Sequence, residues 1–205
     1  MFLFFDLDGV ILDTEHPALK LWKKNLRAEY VDFLWERCLG ITQADEQICF
    51  NRVLGWSTQE YSEFLKKVKV VPRVRSEALE TLTELKLEHT LVLVTSSSQK
   101  STAKKLKLCG LEGIFSEIIT ADDVARGKPY TDPYTLAKLR VGATNSESIV
   151  IEDALSGVFS AYQSGIPNII FFEDTVKSPA LFKDVLLGVA KNFNQLLELI
   201  RKKAN

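Results

Sequence analysis

The chain has 205 residues, 46 % of them hydrophobic and 26 % charged, with a net charge of −1. It is long enough for one full core, with room for a sizeable insertion. The near-neutral balance argues against nucleic-acid or anionic-membrane partners, and no apolar run approaches the roughly 20 residues that span a bilayer.

Met1–Phe5 is a short apolar run that predicts a buried strand, and Asp6-Leu7-Asp8-Gly9-Val10 follows at once. The run is too short for a signal-peptide core and has no basic leader. Side chains alternate along an extended backbone, so Asp6 and Asp8 point the same way. Gly9 permits a sharp turn and a close approach. Two like charges so placed need a cation, a proton or solvent beside them.

From Glu15 to about Pro72 the apolar spacing is helical, with Leu19, Trp22, Leu26 and Tyr30 as the first stripe. Thr42 with Asp45 and Ser57 with Glu60 predict capped helix starts. Residues 15–75 carry 11 basic and 8 acidic side chains, a net of +3. Trp22, Trp35 and Trp56 are expected in the core of this helical stretch.

After Pro72 the pattern changes. Ser76 is expected to cap a helix bearing Leu79, Leu82 and Leu85. Thr90–Val94 reads as a strand buried on both faces, ending at Thr95-Ser96-Ser97-Ser98, where Ser97 or Ser98 caps a helix from Gln99 to about Leu108. Further strands are predicted over 116–120, 148–151 and 168–172, with helices over 133–141 and 157–163. A last short strand over 188–193 and a terminal helix capped by Asn194 complete the expectation.

Strands alternating with helices predict a doubly wound, mostly parallel, Rossmann-like α/β sheet. The expected organisation is an α/β core of residues 1–14 and 73–205, interrupted by a helical cap of residues 15–72. In such sheets ligands sit beyond the carboxyl ends of the strands. Those ends would present Asp6, Asp8, Glu152 and Asp153, the hydroxyls of Thr95 and Ser96, and Lys128 in a Gly-Lys-Pro loop. Clustered carboxylates are hard oxygen ligands that suit Mg²⁺. Metal, Lys and hydroxyls together suit phosphoryl transfer, where charge stabilisation dominates. Asp6 could attack phosphorus, and Asp8 could serve as general acid and then general base. Asp13 is left open between capping the hinge and touching substrate. Asp122, Asp123, Glu173 and Asp174 read as solvated strand-end acids, and His16 and His89 are too isolated for a His-based metal site. Cys38, Cys49 and Cys109 are odd in number and scattered, as expected of reduced thiols in a cytoplasmic protein.

Asp6-Leu7-Asp8-Gly9-Val10, the apolar run into Thr95, Lys128-Pro129 and Ile151-Glu152-Asp153-Ala154-Leu155-Ser156-Gly157 resemble, in order and spacing, the four motifs of the haloacid dehalogenase (HAD) superfamily. The helical insertion resembles the cap of the phosphoglucomutase-like, subclass I members. The resemblance implies Asp6 as phosphorylated nucleophile, Asp8 as acid/base and donor of a backbone carbonyl to Mg²⁺, and Lys128 as neutralising cation. It also implies Thr95 with Ser96 on the phosphoryl group, and Asp153 as Mg²⁺ ligand supported by Glu152.

The superfamily's dehalogenases lack the second aspartate, which this chain has in Asp8. The β-phosphoglucomutases carry a His where this chain has Ala18 and a cap Arg where it has Gln43. The expectation is a cytoplasmic Mg²⁺-dependent phosphatase acting on a small phosphorylated metabolite, with no nucleic-acid or membrane partner and no oligomeric state specified. A hexose-phosphate mutase is the alternative. From other classes come a phospho-Asp signalling domain and a catalytically silent HAD-like protein.

Overall fold

Strand β1 (Phe2–Phe5) lies in the middle of a six-stranded parallel sheet. A computed structural model describes residues 1–178 and 182–204. The strand order is β3 (Glu117–Ile119), β2 (Thr90–Val94), β1, β4 (Ser148–Glu152), β5 (Asn168–Phe172), β6 (Leu186–Ala190). Both faces are covered, which is why the strands are near-continuous apolar runs. Leu3 and Phe5 face one cluster, with Leu82 and Leu85 of α5 (Ala78–Glu88), Leu106 of α6 (Gln99–Leu108), and Leu196 and Ile200 of α9 (Phe193–Ala204). Phe4 faces the other, with Tyr134 and Ala137 of α7 (Asp132–Val141) and Val158 and Ala161 of α8 (Leu155–Gln163).

The register fixes where the chemistry lies. Phe5 pairs with Leu93 on one side and Ile151 on the other. The next residue, Asp6, therefore stands level with Val94 and Glu152, and its N–H donates to the Ile151 carbonyl at 3.0 Å. The chain order reverses around β1, the place where open α/β sheets bind ligands.

Helices α1 (Glu15–Asn25), α2 (Ala28–Cys38), α3 (Gln43–Leu54) and α4 (Thr58–Lys67) follow β1 without a strand between them. Thr42 accepts from Asp45 N–H, and Ser57 and Glu60 form a full capping box, as the spacing predicts. The four helices close around an aromatic cluster centred on Trp22, whose ring meets Trp35, Phe50 and Phe64 edge-on at 5.0, 5.2 and 5.6 Å. Both connections to the sheet run side by side: Asp13 N–H donates to the Arg73 carbonyl at 2.8 Å, and Arg75 N–H donates to Ile11 at 3.0 Å. The helices are seated over the strand ends. Ser96 donates to the Gly40 carbonyl at 2.7 Å, Ser156 to Leu39 at 2.9 Å, and Trp35 Nε1 to the Thr175 hydroxyl at 3.1 Å.

Two expected boundaries move. Helix α5 is preceded by Glu77 in a left-handed conformation (φ 66°), with no side-chain cap from Ser76. The last strand ends at Ala190, and Asn192, which accepts from the Gln195 N–H at 2.9 Å, caps α9 two residues before Asn194.

Candidate active site

Asp6, Lys128, Glu152 and Asp153 form one buried group at the ends of β1 and β4. Lys128 Nζ bonds Asp6 Oδ1 at 2.6 Å, Glu152 Oε1 at 2.5 Å and the Val94 carbonyl at 2.9 Å. The Tyr134 hydroxyl donates to the same Glu152 oxygen at 2.5 Å. Two backbone positions make room for the acids. A Cβ on Gly9, whose φ is +82°, would lie 1.9 Å from Asp153 Oδ2, and one on Gly157 would lie 2.0 Å from the Glu152 carboxyl carbon.

Three carboxylates crowd one ammonium here, and it pairs with two of them, Asp6 and Glu152. Burial pushes Asp6 up to about 7, with Lys128 opposing and Glu152 and Asp8 adding to the rise. Burial, then Asp6 and Glu15, holds Asp153 well above the usual carboxylate range. Burial pulls Lys128 down, but Asp6 and Glu152 outweigh it and keep it charged.

One oxygen from each of Asp6, Glu152 and Asp153 lies within 4.8 Å of the others, and Glu152 Oε2 and Asp153 Oδ2 are buried with no hydrogen-bond partner. Orphaned buried carboxylate oxygens carrying excess negative charge fit a small divalent cation of the Mg²⁺ type.

Asp8 lies to one side of this group. Its Oδ1 accepts from the Thr14 hydroxyl at 3.0 Å, and its Oδ2 accepts from the Ser97 hydroxyl at 3.1 Å and from Lys105 Nζ. Thr95 is buried, and its hydroxyl oxygen accepts the Ser97 N–H at 3.1 Å. Ser96 spends its proton on Gly40, and Ser98 is the N-cap of α6.

A cleft of about 950 Å³ opens above the strand ends. Asp6, Asp8, Thr95, Ser96 and Asp153 form its floor, and the wall supplied by α1–α4 and their connections includes Trp22, Ile41, Gln43 and Glu46. Burial pushes the Glu46 carboxyl, ordinarily near 4.5, up to about 7. Its contribution to stability is thus whole below about pH 4.5 and is lost as pH rises through 7. We expect Glu46→Gln to melt like wild type near pH 4. At pH 8 it should melt about 2–4 °C higher, for roughly 1 kcal/mol in a chain of this size. Melting curves at the two pH values check this.

Several participants lie outside the sequence-derived set. Lys105, Ser97 and Thr14 surround Asp8, Tyr134 supports Glu152, and Glu15 lines the cleft, its carboxyl pushed up to about 8 by burial and by Asp8. Ser98, Ser101 and Lys105 all line the cleft at helical spacing, and that periodicity is the one signal that marks Lys105.

Asp174 is not a solvated strand-end acid: its side chain is 1 % exposed and is ion-paired with Arg75 at 2.5 Å and His16 at 2.8 Å. Asp13 joins that cluster, 3.6 Å from His16, beside the paired connections and outside the cleft. Asp122 and Asp123 have structural partners, the Gln99 N–H and the Thr120–Arg140 pair respectively.

Buried acids, an ammonium and a capped helix start meet at the central strand ends of a parallel α/β sheet, the place where such sheets hold an active site. The chain belongs to the haloacid dehalogenase-like hydrolase family, whose model matches residues 3–171. A phosphorylated carbohydrates phosphatase from Thermotoga maritima is 28 % identical to it over 82 % of each chain. Pyrophosphatase PpaX from Bacillus velezensis is 28 % identical over 80 % of this chain and 79 % of its own. A hydrolase from Pseudomonas syringae superposes with a TM-score of 0.79 at 22 % identity, covering 98 % of both chains. Among the described residues no helix is long and apolar enough to cross a membrane.

Proposed function

We propose that this chain is a Mg²⁺-dependent phosphatase that hydrolyses a small phosphate monoester through an aspartyl phosphate on Asp6. The observation that carries the reading is the Asp6–Lys128–Glu152–Asp153 group, with its excess of carboxylate and its two orphaned oxygens. Residues 1–14 and 73–205 act as the catalytic core, and residues 15–72 as the cap.

Asp6 holds Lys128 through Oδ1, which leaves Oδ2 to attack phosphorus. The new O–P bond forms as the ester O–P bond breaks, and the leaving oxygen takes its proton from Asp8. Asp8, now a carboxylate, accepts a proton from the water that attacks the phosphoryl group, and the Asp6 carboxylate is released. Lys128 offsets charge on Asp6, while the Thr95 hydroxyl and the backbone N–H groups at the start of α6 meet the phosphoryl oxygens; the Ser96 hydroxyl, which donates to Gly40, ties that loop to the helices above it. Asp6, Asp153 and the Asp8 backbone carbonyl would hold the cation, with Glu152 behind them. When bound, it supplies positive charge for the phosphoryl oxygens.

The leaving group occupies the cleft beneath the cap. Lys105 is engaged with Asp8 and Arg126 with Asp132, Lys69 also lines the cleft, and Gln43, Asp45 and Glu46 offer acceptors. The acceptors suit a hydroxyl-rich leaving group, such as a sugar or polyol. Ala18 and Gln43, at the positions where the mutases carry His and Arg, both line the cleft, which supports hydrolysis over mutase chemistry. Free thiols at Cys38, Cys49 and Cys109 suit the reducing cytoplasm.

Phosphate release from a panel of sugar phosphates, phosphoglycolate and pyrophosphate tests the reading. The expected result is release from sugar phosphates that EDTA abolishes and Mg²⁺ restores. Isomerisation of a hexose phosphate without release would favour the mutase.

A further inference from the structure

The last turn of α6 brings a second lysine into the site. Lys105 Nζ bonds Asp8 Oδ2 and also the Ser97 hydroxyl at 2.9 Å, and Ser97 in turn donates to the same Asp8 oxygen at 3.1 Å. Thr14, where β1 passes into the cap helices, holds the other oxygen at 3.0 Å. Both edges of the Asp8 carboxylate are therefore gripped, one from α6 and one from the hinge. Among the described residues Lys105 is the only cation ion-paired with Asp8, since Lys128 is committed to Asp6 and Glu152. The pair is not a buried structural strut: each side chain is 21 % exposed, and both line the cleft.

We infer that Lys105 is a positioning residue for Asp8: its ammonium, with Ser97, fixes the rotamer from which Asp8 exchanges a proton with the leaving oxygen and with water. This rests on the phosphatase reading and on Asp8 as its acid/base. Proton transfer requires hydrogen-bond reach, so a carboxylate free to rotate in an open cleft spends much of its time out of range. An ammonium on a long aliphatic stem supplies a strong directional partner from outside the phosphoryl-binding floor. Lys105 should accordingly act on turnover and leave substrate capture to Thr95 and the start of α6.

A double-mutant cycle on p-nitrophenyl phosphate with Mg²⁺ tests this, because its good leaving group keeps Asp8→Asn turnover measurable. Lys105→Met keeps the stem and removes the charge. In the wild-type background we expect kcat to fall about 10- to 100-fold, the scale of a displaced catalytic group, with KM unchanged. In the Asp8→Asn background the same substitution should change kcat less than about two-fold, the signature of two residues acting as one. Lys105→Arg, which keeps a charge of different reach, should recover part of the loss. Three results would overturn the inference: an equal loss in both backgrounds, a raised KM with kcat preserved, or no loss in wild type. Asp6→Asn run alongside separates this from failure of the phosphatase reading, since an active Asp6→Asn protein would remove the reading itself.

Discussion

Asp6→Asn should fold normally and turn over about 10⁴-fold more slowly or worse, the scale seen when a nucleophile is removed and only binding and charge stabilisation remain. The substitution keeps the shape of the side chain and an oxygen for Lys128 to bond at the Oδ1 position, 2.6 Å away in the wild type. In the proposed reaction it removes the carboxylate that attacks phosphorus. Stability should move the other way.

Burial pushes the Asp6 carboxyl from 3.8 to about 7. A raised acid favours folding while protonated, so its contribution is complete below about pH 3.8 and is lost as pH rises through 7. The amide carries no such dependence. Without metal, Asp6→Asn should melt at or above the wild-type temperature at pH 8, and the difference should shrink toward pH 4. Activity assays with melting curves at both pH values check the two halves separately. An inactive protein that is also unfolded would say nothing of nucleophilicity, and the melting curve excludes that case.

Lys128→Met should have the largest effect on stability. Lys128 is 1 % exposed and is held by Asp6, Glu152 and the Val94 carbonyl. Removing it leaves two buried carboxylates without their shared cation. Breaking a buried ion pair by deleting one partner costs about 3–5 kcal/mol. In a chain of this length that lowers Tm by roughly 10 °C. Activity should fall at least about 10²–10³-fold, as on loss of a preorganised charge at a reacting centre. The stability loss should also depend on pH, being larger near pH 8 than near pH 5, because Asp6, raised to about 7 even with Lys128 beside it, keeps its proton at the lower value. Urea unfolding at the two values measures it, and an equal loss at both would mean that charge is not what Lys128 supplies.

The parts of the site carried on strand ends were legible in the sequence, because a buried parallel strand advertises itself as an apolar run and its next residues must face the crevice. The rule places Asp6, Thr95, Glu152 and Asp153 at strand ends, and the fixed register of β1 against β2 and β4 brings those ends level. Caps at Thr42 and Ser57 were equally local. Lys105 was not legible, since it meets Asp8 across 97 positions and, in a helix with several other lysines, only its spacing from Ser98 and Ser101 sets it apart. The Arg75–Asp174–His16 cluster depends on the chain's return from α4 passing beside the end of β5, which no local pattern encodes. For the same reason the local pattern makes Asp174 look solvated. Ser76 resembled a helix cap in sequence, but Glu77 adopts a left-handed turn at that point, a conformation that a helix-start pattern does not anticipate.

The central claim is that Asp6 carries the phosphoryl group between the two half-reactions. The direct measurement is an acid quench of the Mg²⁺-loaded wild-type protein during turnover of a sugar phosphate, followed by mass spectrometry of the N-terminal peptide. The account predicts a phosphoryl group on Asp6, labile to hydroxylamine and absent from Asp6→Asn. Sustained turnover with no phosphoryl group on Asp6, or with one on a different residue, would contradict it.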